Sequence, residues 1–187
     1  EAEASTGRGL AIAERLDDPR LRSAALDALT SCAKARGAFA QSRQFAQQRL
    51  AFEDRLDLHE RLDAHTMVAW ASALLGDLAQ ADRSTASALG LFQSGQVHWW
   101  GLHSAAWRAY ALTLLGRWDE AAQLADEFVD QSESGQRHYL EGMCRQVRAG
   151  IRLARGELEP ALDDAAASLA LGREARDPQA LYPALAF

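Results

Sequence analysis

Lysine occurs once in this 187-residue chain, at Lys34, and arginine carries the rest of the positive charge. Acidic residues outnumber basic ones, 26 to 20, for a formal net charge of −6. That balance argues against a nucleic-acid surface, which needs clustered positive charge facing the phosphates. Strand-favouring residues are also few, with four valines and two isoleucines, so a sheet has little to build on. No apolar run reaches the roughly 20 residues needed to cross a bilayer, and no charged-then-apolar leader opens the chain.

Cysteine is limited to Cys32 and Cys144, too few for a disulfide framework. Cys144 shares its register with Ala25, Ala64 and Ser104. Both cysteines read as small core residues, which suits a reducing compartment, and the expected location is the cytoplasm. The usual catalytic signatures are missing too. His59 and His65 are six apart, whereas a zinc-binding helix needs two histidines four apart on one face. There is no Gly-Lys-Ser/Thr loop and no Gly-x-Ser-x-Gly elbow. Asp17-Asp18 and Asp163-Asp164 fit helix starts and solvent faces. The expectation is a chain that is not an enzyme and holds no metal or cofactor.

Alanine and leucine dominate instead, and both favour helices. Gly37, Gly76, Gly116 and Gly156 divide the chain at intervals of 39, 40 and 40 residues. Each glycine ends one helical pattern and precedes another. Two residues after them stand Phe39, Leu78, Trp118 and Leu158, all large; five after stand Ser42, Ala81, Ala121 and Ala161, all small. Seven before stand Thr30, Ala69, Ala109 and Ala149. A large residue packs the corner, and small ones let two antiparallel helices approach, so each period is a helical hairpin. In the fourth repeat Leu140, Cys144, Val147, Ile151 and Ala154 form the apolar stripe of the first helix. One hairpin cannot bury both faces, and neighbours must stack. Asp18-Pro19, Asp57 with Glu60, and Asp177-Pro178 are helix-start signals. Gln93–Gln96 and Ser132–Gln136 are polar turns between repeats.

The expected architecture is all-α, with about nine helices: a trailing helix in 1–17, hairpins over 18–56, 57–96, 97–136 and 137–177, and the start of a further helix in 178–187. Both ends are open, so the chain reads as part of a longer array.

Leu115-Gly116-Arg117-Trp118-Asp119-Glu120-Ala121-Ala122 resembles the corner of a tetratricopeptide (TPR) repeat. Leu75-Gly76-Asp77-Leu78-Ala79-Gln80-Ala81 and Gly156-Glu157-Leu158-Glu159-Pro160-Ala161 match the same corner, and Gly37-Ala38-Phe39-Ala40-Gln41-Ser42 matches it less well. The period is longer than the usual 34, and no proline closes each repeat. Longer repeats of this kind are similar to the sensor arms of bacterial STAND-class ATPases, LuxR-type activators and ATPase–cyclase fusions. The resemblance implies a right-handed α-solenoid whose first helices line a concave groove. It also implies flanking domains in the same polypeptide and a protein, peptide or small-effector partner, without nucleic acid or membrane.

Carried onto this sequence, the groove stripe holds Asp63, Thr66 and Trp70 in the second repeat, Trp99, His103 and Tyr110 in the third, and Tyr139 and Gln146 in the fourth. Its mixture of rings and polar groups suits partner binding, since aromatics give rigid contact area with a polar tip. The same rings could equally plug the inner wall of a tight superhelix. Arg145, Arg148, Arg152 and Arg155 form a second stripe, either an anion patch or pairs with acids such as Asp126, Asp130 or Asp163. Beside the interaction module stands a second class of function, a structural spacer or self-association scaffold.

Overall fold

A computed structural model describes residues 2–91 and 99–185. They form ten α-helices: α1 (Ala2–Arg15), α2 (Pro19–Ala35), α3 (Phe39–Leu50), α4 (Leu58–Leu74), α5 (Leu78–Gly90), α6 (Trp99–Leu114), α7 (Trp118–Glu133), α8 (Glu141–Ala154), α9 (Leu158–Ala175) and α10 (Pro178–Leu185). A single 3-10 turn, Glu53–Arg55, lies between α3 and α4. The fold is all-α. The count exceeds nine by α10, an eight-residue helix where the sequence indicates only a beginning. The turn expected at Gln93–Gln96 lies outside the described residues.

The helices form two compact units, Glu1–Gln96 and Val97–Phe187. Within each, consecutive helices pack against one another, and the short connections make neighbours antiparallel. First helices also meet first helices: α2 touches α4 in unit 1, and α8 touches both α6 and α10 in unit 2. Second helices show no comparable approach among the described residues. Each unit is therefore tighter along its first-helix wall.

The corners are alike in detail. Gly37, Gly76, Gly116 and Gly156 have φ of 72°, 77°, 76° and 82°, the left-handed backbone that closes a helix at little cost only for glycine. The next residue's N–H reaches back five positions at each corner. Ala38 donates to the Ala33 carbonyl, Asp77 to Ser72, Arg117 to Leu112 and Glu157 to Arg152, all at 2.9 Å. The glycine N–H itself donates to the carbonyl three residues back, at 2.9–3.1 Å. Together these are the two bonds of the Schellman motif, and they satisfy carbonyls that a helix end leaves bare.

Helix starts follow the side chains expected of them. Asp18 Oδ1 accepts from the Arg20 and Leu21 N–H groups at 2.9 and 3.0 Å, with Pro19 at the first helical position. Asp57 accepts from the Glu60 N–H at 3.0 Å. Glu60 does not return the bond to complete a capping box, because its carboxylate is held by Arg49 at 3.0 Å.

Second helices bury a common register. Ser42, Ala46 and Arg49 on α3 correspond to Ala81, Thr85 and Ala88 on α5 and to Ala121, Ala125 and Phe128 on α7. On α9 Ala161 and Ser168 keep this register, and Asp164 is buried one position ahead of its middle member. First helices differ by neighbourhood. Helix α4 is buried at residues 62–64 and 66–73, whereas α2 buries one face only, with Leu26 against Phe52 and Leu56. Cys32 is accordingly half-buried, while Cys144 is buried completely. Helix α9 approaches α8 tightly at Gly142, where an added Cβ would lie 3.1 Å from the Ser168 carbonyl.

Because an added Cβ at Gly116 meets nothing within 4 Å, substitution there tests backbone conformation alone. Gly116→Ala is expected to lower stability by about 1–2 kcal/mol, and Gly116→Asn by less than half as much, since asparagine tolerates this backbone. Urea unfolding of the three proteins measures both differences.

Candidate functional site

The eight stripe residues divide between the two units, and the units treat them differently. In unit 1, Asp63, Thr66 and Trp70 are interior residues. Thr66 is fully buried, and its Oγ1 donates to the Leu62 carbonyl at 2.7 Å. Trp70 is only 7 % exposed and lies beneath Lys34, whose Nζ is 4.0 Å from the ring centre.

Asp63 belongs to a charged knot around Arg49, a side chain 1 % exposed. Arg49 Nη1 donates to Asp63 at 2.5 Å and to Asp27 at 3.1 Å, Nη2 donates to Glu60 at 3.0 Å, and Nε donates to Ser23 Oγ at 2.9 Å. One guanidinium from α3 thus faces three carboxylates, one from α2 and two from α4. Burial and the neighbouring acids Asp27 and Glu60 push Asp63 up to about 6, against the downward pull of Arg49. Arg49 has no counterpart in the groove stripe. Its signal in the sequence is an arginine at a register filled by Ala88 and Phe128 elsewhere, with acids at Asp27, Glu60 and Asp63 to receive it.

Unit 2 inverts the knot. Asp164 on α9, 2 % exposed, pairs with three arginines of α8 and accepts hydrogen bonds from two of them. Arg152 Nη1 lies 2.6 Å from Oδ2, Arg148 donates to both oxygens, and Arg145 stands at 3.6 Å. Arg148 also reaches Asp126 at 3.2 Å, Arg145 reaches Glu133 at 2.6 Å and Glu141 at 2.8 Å, and Arg155 reaches Asp119 at 2.5 Å. The arginine stripe is therefore paired, with Asp126 among its acids. Asp164 departs from the solvent-face expectation: three cations drawn from one helix face hold it inside.

Trp99, His103 and Tyr139 come together in unit 2 around His138. Trp99 and His138 ring centres are 4.0 Å apart, and His138 stacks on Tyr139 at 4.7 Å. His103 meets Tyr139 edge-on at 5.6 Å, and Phe128 meets His138 edge-on at 5.8 Å. The Tyr139 hydroxyl lies 3.4 Å from His103 Nδ1. Gln179 on α10 extends the set, accepting from the Trp107 indole N–H at 3.3 Å and donating to the Tyr139 oxygen at 3.5 Å. Trp99 is 47 % exposed, so it forms the solvent side of the cluster, whereas His103 is buried behind it. Tyr110 is half-buried and edge-on to Trp107 at 5.8 Å. Gln146 is half-buried, and its Oε1 has no hydrogen-bond partner among the described residues.

His138 was not visible from the helical register because α8 begins at Glu141, so residues 138–140 form the turn before it. The Leu140 N–H donates to His138 Nδ1 at 3.1 Å, which assigns the ring proton to Nε2. His138 is 4 % exposed, and burial lowers its pKa to about 3, so the ring is neutral near pH 7. His65, by contrast, pairs with Glu53 at 2.9 Å, away from His59.

Among the described residues no group of three His, Cys, Asp or Glu side chains is placed to hold a metal ion, and no helix is long and apolar enough to cross a membrane. Neither a protein-family model nor a curated protein matches the chain.

Asp63 and His138 give the two units opposite responses to acid. A carboxyl whose native pKa is raised to about 6 favours the fold below pH 4 and loses that contribution as pH rises through 6. Asp63→Asn removes the dependence, so the variant should gain about 2 kcal/mol on the parent between pH 4.5 and 7.5 in urea titrations. A histidine lowered to about 3 favours the fold above pH 6.5 and loses that contribution as pH falls from 6.5 toward 3. His138→Asn keeps an acceptor for the Leu140 N–H, and its stability relative to the parent should rise as pH drops from 7 to 4.5.

Proposed function

We propose that this chain is a non-catalytic, TPR-like interaction module, and that a segment of a protein partner lies along the first-helix face of unit 2. The observation that carries the proposal is the gathering of Trp99 and His103 from α6 and Tyr139 from the turn before α8 into one cluster whose outer member, Trp99, is nearly half in solvent. A rigid ring held by buried neighbours loses little freedom when it takes up a contact, which is what makes tryptophan and tyrosine effective anchors. Tyr110 and Gln146, both half-buried, extend the same stripe, and His103, His138 and Gln179 support it from behind. The unit 1 residues of the stripe play a different part: Asp63, Thr66 and Trp70 hold the wall together.

In this proposal the module belongs to a larger cytoplasmic bacterial signalling or transcription regulator, as its repeats' resemblance to sensor arms implies. Binding would act by favouring one packing of the array against the rest of that polypeptide.

Peptides selected from a random library against the full chain test the assignment. The double variant Trp99→Ala, Tyr110→Ala should lose at least about tenfold in affinity for the selected peptides, with helix content by circular dichroism unchanged. Unchanged affinity by calorimetry would refute the groove.

A further inference from the structure

The α1–α2 corner of unit 1 contains an open cleft of about 70 Å³ that has no part in the peptide face. A single water needs ~10–15 Å³ of such space, so the cleft has room for roughly five, enough for a small polar molecule. Its walls come from the end of α1, the start of α2 and the segment joining α3 to α4, and its charged residues are Glu14, Asp17, Asp18, Arg22 and Arg55.

The two arginines differ. Arg55 is committed, with Nη1 on Asp17 Oδ1 at 2.9 Å and Nη2 on the Asp17 carbonyl at 3.0 Å. Arg22 sits over the Phe52 ring, its Cζ 4.6 Å from the ring centre, and its buried Nε has no acceptor among the described residues. The acids keep capacity as well. Asp17 engages Arg55 through Oδ1, and Asp18 caps α2 through Oδ1, which leaves a second carboxylate oxygen on each. Asp17 also holds a left-handed backbone, φ 48°, at the end of α1, where Gly135 stands at the end of α7. A side chain there costs about 1 kcal/mol, and the carboxylate it adds is the one that fixes Arg55 and faces the cleft.

Two guanidinium groups against three carboxylates leave the cleft net negative. A simple anion is repelled by the rim, and a simple cation meets Arg22. A ligand with a carboxylate and an ammonium on neighbouring atoms satisfies both, since a guanidinium matches a carboxylate with two parallel hydrogen bonds. We propose that the cleft binds a free α-amino acid with a short side chain, its carboxylate on Arg22 and its ammonium among Asp17, Asp18 and Glu14.

Titration calorimetry of the full chain with L-serine, acetate and ethanolamine tests this. L-Serine should bind saturably in the millimolar range or tighter, and acetate and ethanolamine should each bind at least about tenfold more weakly. Arg22→Gln should abolish L-serine binding. Glu14 is exposed on α1, so Glu14→Gln leaves the fold intact and should weaken binding severalfold. The proposal is overturned if acetate or ethanolamine binds as tightly as L-serine, if L-serine does not saturate, or if both variants bind like the parent.

Discussion

The fold depends on one backbone event repeated four times. At each hairpin corner a glycine takes a left-handed φ, and two N–H groups turn back onto the last carbonyls of the first helix. The second helix then leaves in a direction set by that geometry rather than by its own side chains. Because the corner is the same at 37, 76, 116 and 156, the following helix starts alike each time, with a large residue at its first position. The small residues at the fourth position can then meet the preceding helix closely. Burial of Ser42, Ala81, Ala121 and Ala161 is the consequence.

Upon this frame each unit places one charged knot. Arg49 links α3 to both α2 and α4, and the Asp164 cluster links α9 to α8 and, through Arg148 and Arg145, α8 to α7. Burying charge is expensive, and such knots contribute little net stability beside an apolar replacement of the same shape. Their effect is on register. A helix that slid by one turn would strand Arg49 or Asp164 without partners, at a cost far above that of misplacing an alanine. In cores built mainly of alanine and leucine, where small side chains tolerate many pairings, that penalty singles out one alignment of the hairpins. Burial, together with the neighbouring carboxylates, makes Asp63 responsive to pH.

Much of the architecture was legible in the sequence because it rests on local rules. Glycine at a left-handed corner, aspartate before a first turn and small residues at a fixed offset each act within a few positions of the chain. The site was less legible because it depends on depth. Helical spacing placed Asp63, Trp70, Trp99 and Tyr139 on one stripe, but spacing carries no information on how many neighbours cover that stripe. Helix α4 is covered almost all round, so Asp63, Thr66 and Trp70 are interior, while Trp99 at the first turn of α6 stays half open. His138 escaped because it precedes α8 and belongs to no helical register. Arg49 and Asp164 escaped because a charge on an amphipathic helix reads as solvated until its partners on other helices are known.

Hydrogen exchange on the intact chain tests the corner geometry most directly. If the corners form as described, the backbone amides of Ala38, Asp77, Arg117 and Glu157 will exchange more slowly than in an unstructured peptide by a factor on the order of 10³ or more, although they lie outside any helix. Exchange at unstructured rates in these four amides, with the adjoining helices protected, would contradict the account.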